Sequence, residues 1–246
     1  MRSNQHTKFS LTPIAETLKE TVRACRGLGI GIETQPLSEY VYQTTFLKMT
    51  GASEQKLKCI RWEMATYDYD YRYKMLSGQP GEYSSYRDKN TIFHEIIEVI
   101  KNLEPSFNPG ILFGQTNKQA MLQKLQTEFE SILEGSLLTI WDKRSYVNRL
   151  NITNTSFAFI NKRSKSFELL NDHLTIFYKD TLYRHRNRCA HNLRSYQTSP
   201  TLNTLAHSTS SKDNYFNMFF VLILMDNIFM KAYEEYLRLL HLQTIY

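Results

Sequence analysis

The stretch Arg184-His185-Arg186-Asn187-Arg188-Cys189-Ala190-His191-Asn192 gathers three guanidiniums, an amide and a terminal imidazole within nine residues. Phosphodiester cleavage calls for such groups. An imidazole titrates close enough to neutrality to take or give a proton, and fixed cationic donors stabilise a charged phosphorane. Read as the end of a long helix, with each residue advancing by about 100°, the stretch puts Asn187 and His191 on one face. Arg184 falls one turn further back on the same stripe, and Arg186 sits on the flank with a side chain long enough to reach across.

The wording of this stretch resembles the HEPN superfamily of helical nucleic-acid enzymes. The signature there is Arg, four to six residues, then His, with a polar residue after the Arg. Arg186-Asn187 and His191 fit the four-residue version, with Ala190 before the His. The longer spacing also occurs at Arg184 to His191 and at Arg87 to His94. A second resemblance is local: some HEPN ribonucleases carry Glu-x3-Lys on an earlier core helix, and Glu54 and Lys58 have that spacing, with Cys59 where the family form often has Arg. An exposed i, i+4 ion pair explains Glu54 and Lys58 equally well.

The resemblance implies metal-independent cleavage of tRNA or mRNA, with no cofactor and no metal. His191 would serve as general base on the ribose 2′-OH or general acid on the leaving oxygen. Arg186 would hold the non-bridging oxygens, and Asn187 would orient the phosphate or the imidazole. Arg184, Glu54 and Lys58 would support them. One imidazole does not easily serve as base and acid at once, and HEPN proteins typically pair two motifs in a twofold homodimer. Stand-alone members often act as toxins or in antiphage defence, so an antitoxin or regulatory partner is implied as well. Nucleotidyltransferase-paired toxins place Tyr two residues after the His, where this chain has Leu193. The alternatives are an inactive HEPN module that binds RNA or a nucleotide or only dimerises, and a helical interaction protein whose basic stretch is a solvated face.

The elements that must position these residues read as all-α: a HEPN-like helical bundle with additional N-terminal and connecting helices. Residues 1–35 form an N-terminal helical extension and 36–246 the HEPN-like domain, or 1–246 form one domain. Helical character over 12–27 starts at Thr12 as cap, with Pro13 in the first turn. Gly27-Leu28-Gly29-Ile30-Gly31 lacks the Lys-Ser/Thr ending of a phosphate-binding loop and reads as a hinge. Two helices meeting near Gly51 are expected over 38–76, and one over 90–103, where Phe93, Ile96, Ile97 and Ile100 share a face. Segments 117–133 and 137–150 follow. Residues 166–192 are expected as the motif helix, 197–214 as a Ser/Thr-rich loop, and 215–242 as a final, mostly buried helix.

A net charge of +6 over 246 residues favours a polyanionic partner such as RNA, with positive charge concentrated at Lys162-Arg163-Ser164-Lys165 and around Arg184 to Arg194. Three cysteines, an odd number without metal spacing, argue against a disulfide framework. The richest apolar run, 216–230, is interrupted by Asn217, Asp226 and Asn227 and is shorter than the roughly 20 residues a bilayer needs. The start Met1-Arg2-Ser3 opens no apolar signal region. The expectation is a cytoplasmic protein with no membrane partner. Among lesser candidates, Arg87 and His94 read as a solvated pair at a loop-to-helix boundary. Tyr67, Tyr69, Tyr71 and Tyr73 read as partly buried, His207 as a bystander, and Cys189 as structural. His185 lies off the catalytic stripe.

Overall fold

The computed structural model describes residues 4–25, 35–78, 81–134, 151–161, 166–191 and 215–244. The expected glycine hinge, the 137–150 helix, the basic cluster 162–165, the 197–214 loop with His207, and Leu193 all lie outside those residues. Among the described residues the architecture is all-α apart from one two-stranded hairpin. In chain order the elements are α1 (Gln5–Ser10), α2 (Ala15–Cys25), α3 (Gln35–Tyr67), α4 (Tyr69–Ser77), α5 (Tyr86–Leu103), α6 (Pro109–Leu112) and α7 (Gln115–Leu133). There follow strands β1 (Phe157–Ile160) and β2 (Phe167–Leu170), α8 (Asp172–Phe177), a π-helical segment Tyr178–Tyr183, α9 (Arg184–His191) and α10 (Tyr215–Thr244).

Helix α10 is the centre of the core. Phe216, Phe219, Phe220, Val221, Ile223, Leu224 and Ile228 are all buried, so the helix is enclosed on every side. The Phe220 ring meets Phe129 of α7 edge-on at 5.6 Å, and Phe229 meets Phe93 of α5 at 6.1 Å. Full burial of such a ring contributes about 1.5–3 kcal/mol. Among the described residues α10 alone is long and apolar enough to cross a membrane, but 83% of its most apolar window is buried inside the protein.

Several boundaries differ from the sequence reading, each for a local reason. Helix α3 runs unbroken through Gly51, whose α-carbon faces open space, and the break comes instead at Asp68. Asp68 caps α4 by accepting from the Tyr71 N–H at 2.9 Å, so the tyrosine-rich stretch is split between two helices. Tyr71 alone of its four tyrosines is buried; its hydroxyl donates to Glu95 at 2.7 Å, while Tyr67, Tyr69 and Tyr73 are exposed.

Thr12 does not cap α2. Its hydroxyl donates back to the Lys8 carbonyl, and the Ile14 N–H at the helix start donates to Asp226 of α10 at 2.9 Å. That carboxylate also receives Lys56 of α3 at 2.6 Å in a buried pair. Helix α2 is thus capped by a remote anion, which its positive N-terminal end favours. Ile14 and the α2 residues Ala15, Leu18 and Val22 join the same hydrophobic cluster as α10.

Helix α5 starts at Tyr86, capped by Ser85, so Arg87 and His94 lie within one helix rather than astride a boundary. The long helix expected from 166 is also revised. Residues Phe167–Leu170 pair antiparallel with Phe157–Ile160 in the register Phe157 to Leu170, Phe159 to Glu168 and Ile160 to Phe167. Asn90 of α5 accepts from the Leu169 N–H, and the Tyr86 hydroxyl bonds both backbone groups of Leu170, which fixes the strand to the helix. Asn171 then caps α8 by accepting from Leu174 N–H.

Candidate functional site

The segment leading into the Arg-rich motif is a run of π-helix, Tyr178–Tyr183, continuing without a break into α9. Its wider turn shifts the helical phase ahead of the motif; such insertions are frequent at functional sites. Tyr178 anchors it, with its ring buried and its hydroxyl donating to the Ser84 carbonyl at 2.9 Å. Helix α9 packs on α3.

This packing brings the Arg186-Asn187 motif against Glu54 of the Glu-x3-Lys motif. The Arg186 guanidinium reaches both carboxylate oxygens of Glu54, at 3.2 and 3.3 Å, and donates through its other terminal nitrogen to Asn187 Oδ1 at 3.1 Å. Both charged side chains are largely buried, so the pair is held far more firmly than a surface bridge. Asn187 is half-buried beside them. His191 is exposed at the last residue of α9, about 7.5 Å along the helix axis from Arg186. The guanidinium and amide are held by contacts, whereas the His191 imidazole stands open to solvent further along the helix.

Two supporting residues do not join the cluster. Arg184 is exposed and pairs with Asp180 one turn earlier at 3.3 Å. Lys58 does not pair with Glu54. It is exposed, with its ammonium 5.6 Å from the centre of the Tyr83 ring.

Two residues that sequence reasoning passed over stand close to the site. Lys89 is fully buried, donating to the Tyr83 carbonyl at 3.0 Å and contacting Ser53 Oγ at 3.4 Å. Burial lowers its ammonium to about 8, against the opposing pull of Glu54 and Asp88, with Arg186 adding to the lowering. The signal was available: Lys89 lies one turn before Phe93 on the apolar stripe of α5, a position visible once the helix starts at Tyr86.

His185 is the second. It is buried between Phe46 and Tyr215, with ring centroids at 5.1 and 5.2 Å. Its Nε2 meets the Tyr215 hydroxyl at 2.9 Å, and its Nδ1 accepts from Arg188 at 3.1 Å. Burial, then the Arg188 charge, lowers its imidazole to about 4, so it is neutral and ties α9 to α3 and α10. Cys189 lies 3.5 Å from the same ring, and burial raises its thiol above the ordinary range, consistent with packing rather than nucleophilic attack. Among the described residues no three His, Cys, Asp or Glu side chains are placed to hold a metal.

No family model, curated protein or solved structure matches the chain.

Proposed function

We propose that this protein is a metal-independent endoribonuclease of HEPN type, acting on tRNA or mRNA in the cytoplasm, in a growth-arresting or antiphage role. The observation that carries the reading is the contact between Glu54 and Arg186. The two residues belong to separate short motifs 132 positions apart, and a family site built from both would need them side by side. In this reaction the ribose 2′-oxygen attacks phosphorus as its proton passes to an imidazole, and the bond to the 5′-oxygen breaks as that oxygen is protonated. Arg186 stabilises the charge on the non-bridging oxygens and Asn187 orients the phosphate. His191 transfers the proton, and its counterpart in a twofold partner serves the other step. Products carry a 2′,3′-cyclic phosphate and a 5′-hydroxyl, and DNA resists for want of the 2′-OH.

The test is cleavage of total RNA and purified tRNA in EDTA by wild type, His191→Ala and Arg186→Ala. Cyclic-phosphate fragments from wild type alone support the reading. A second reading, an RNA-binding module without catalysis, is favoured by one observation: Glu54 and Asn187 already occupy the Arg186 guanidinium. It predicts salt-sensitive RNA binding and no fragments from any of the three proteins.

A further inference from the structure

Helix α5 carries a second polar stripe, Asn90, His94, Glu98 and Lys101, at three- and four-residue spacing. Strand β2 runs against it and supplies Glu168. That carboxylate accepts from Asn90 Nδ2 at 2.8 Å and from the Ser166 hydroxyl at 2.5 Å. Burial alone would raise the Glu168 carboxyl, but these two bonds and the neighbouring His94 hold it below the usual carboxylate range. It therefore faces His94 as an anion.

His94 Nε2 is buried, 3.6 Å from Glu168 Oε2 and without a hydrogen-bond partner. With Nε2 turned to that carboxylate, the neutral form of the ring has Nδ1 as its acceptor. His94 lines a cleft of about 250 Å³ between α5 and the hairpin. Ile97, Ile160 and Phe167 form its apolar walls, with Phe167 already stacked on Phe93 at 5.6 Å and 26°. Glu98 and Lys101 stand at its rim, both exposed; the contact of Glu98 with Lys74 is a solvent-exposed pair that a ligand displaces at little cost.

The cleft is smaller than the ~300–1,000 Å³ of sites for drug-sized ligands, which limits it to one base-and-ribose-sized group. An aromatic wall suits a planar ligand. Two acceptors, His94 Nδ1 and the Glu98 carboxylate, suit an edge that presents more than one N–H, and a rim cation suits a phosphate. Among the common nucleobases guanine presents two such groups side by side, N1–H and the N2 amine, whereas adenine and cytosine each present one amine. We propose that this cleft is a guanine-nucleotide site, with Glu98 and His94 reading the base edge, Phe167 flanking the ring and Lys101 meeting the phosphate. The site is separate from the Arg186 cluster and does not depend on the ribonuclease reading.

Isothermal titration calorimetry of the full chain with GMP, AMP, CMP and UMP tests it. GMP is expected to bind roughly tenfold or more tighter than the others. Glu98→Gln should remove about that preference, since it replaces one acceptor by a donor. Lys101→Ala should bring GMP down to the affinity of guanosine. Both side chains are exposed, so neither change threatens folding. Equal binding of the four nucleotides, no binding at all, or GMP affinity indifferent to Glu98→Gln would overturn the proposal. Competition of GMP by a short single-stranded RNA with one guanosine would identify the ligand as part of a strand, and GMP binding without competition would identify it as a free nucleotide. His191→Ala and Arg186→Ala should keep wild-type GMP affinity, so loss of cleavage and loss of this site are read separately.

Discussion

Arg186 and Glu54 stand 132 positions apart in the chain and meet at 3.2 Å, each with most of its side chain out of solvent. A carboxylate on that guanidinium competes with any phosphate and also fixes its direction. Glu54→Gln is therefore expected to act in two opposite ways. RNA affinity should rise by roughly threefold to tenfold, since a charged hydrogen bond competing for the guanidinium is worth about a kcal/mol or more. Cleavage should fall, because a freed guanidinium loses its orientation. Filter binding and gel assays on one preparation read both, and unchanged RNA affinity would mean that Arg186 does not face the substrate.

Much of this relationship was legible in the sequence, but its geometry was not. Glu54 and Arg186 were both recognisable, each from its own short pattern, while the partnering of Glu54 with Arg186 rather than Lys58 depends on how α9 packs on α3. Arg184 shares the exposed side of α9 with His191, as a helical wheel has it, but its guanidinium is taken by Asp180 one turn earlier. The hairpin was hidden because Phe167 and Leu170, three apart, suit a helical face as well as a strand, and four residues are too few to show alternation. Gly51 looked like a break, yet a glycine on an open face of a 33-residue helix costs only about 1 kcal/mol.

The Lys56–Asp226 pair links α3, α10 and the start of α2 through one buried carboxylate. Asp226→Asn leaves the Lys56 ammonium buried without its counter-ion and is expected to cost about 3–5 kcal/mol. Adding Lys56→Met removes the stranded charge, so the double variant should be more stable than Asp226→Asn alone. Urea midpoints of the four proteins in the cycle decide it. Additive losses would show that the two groups are not coupled.

His185 makes the fold sensitive to acid. Its folded value of about 4 lies below the ordinary 6.5, so on acidification the unfolded chain takes up the proton first. The stability held by the neutral ring is complete above about 6.5 and is lost as pH falls toward 4, on the order of 1–3 kcal/mol. His185→Phe keeps a ring against Phe46 but gives up the bond to Tyr215. It should be less stable than wild type at pH 7, with a deficit that shrinks as pH falls from 6.5 to 4. A deficit independent of pH would show that His185 is not held neutral in the fold.

The Arg186 motif carries one exposed imidazole, His191, on each chain, whereas transesterification moves two protons. If two copies complete one another across a twofold axis, the active unit needs both imidazoles. Mixing wild type with His191→Ala under subunit exchange should then reduce cleavage as the square of the wild-type fraction, so that an equal mixture retains about a quarter of the wild-type activity rather than half. Binding of RNA should stay nearly constant across the series, because Arg186 is present on every chain. A linear decline would assign the whole reaction to one protomer, and would require the second proton to travel through a group other than the partner's imidazole.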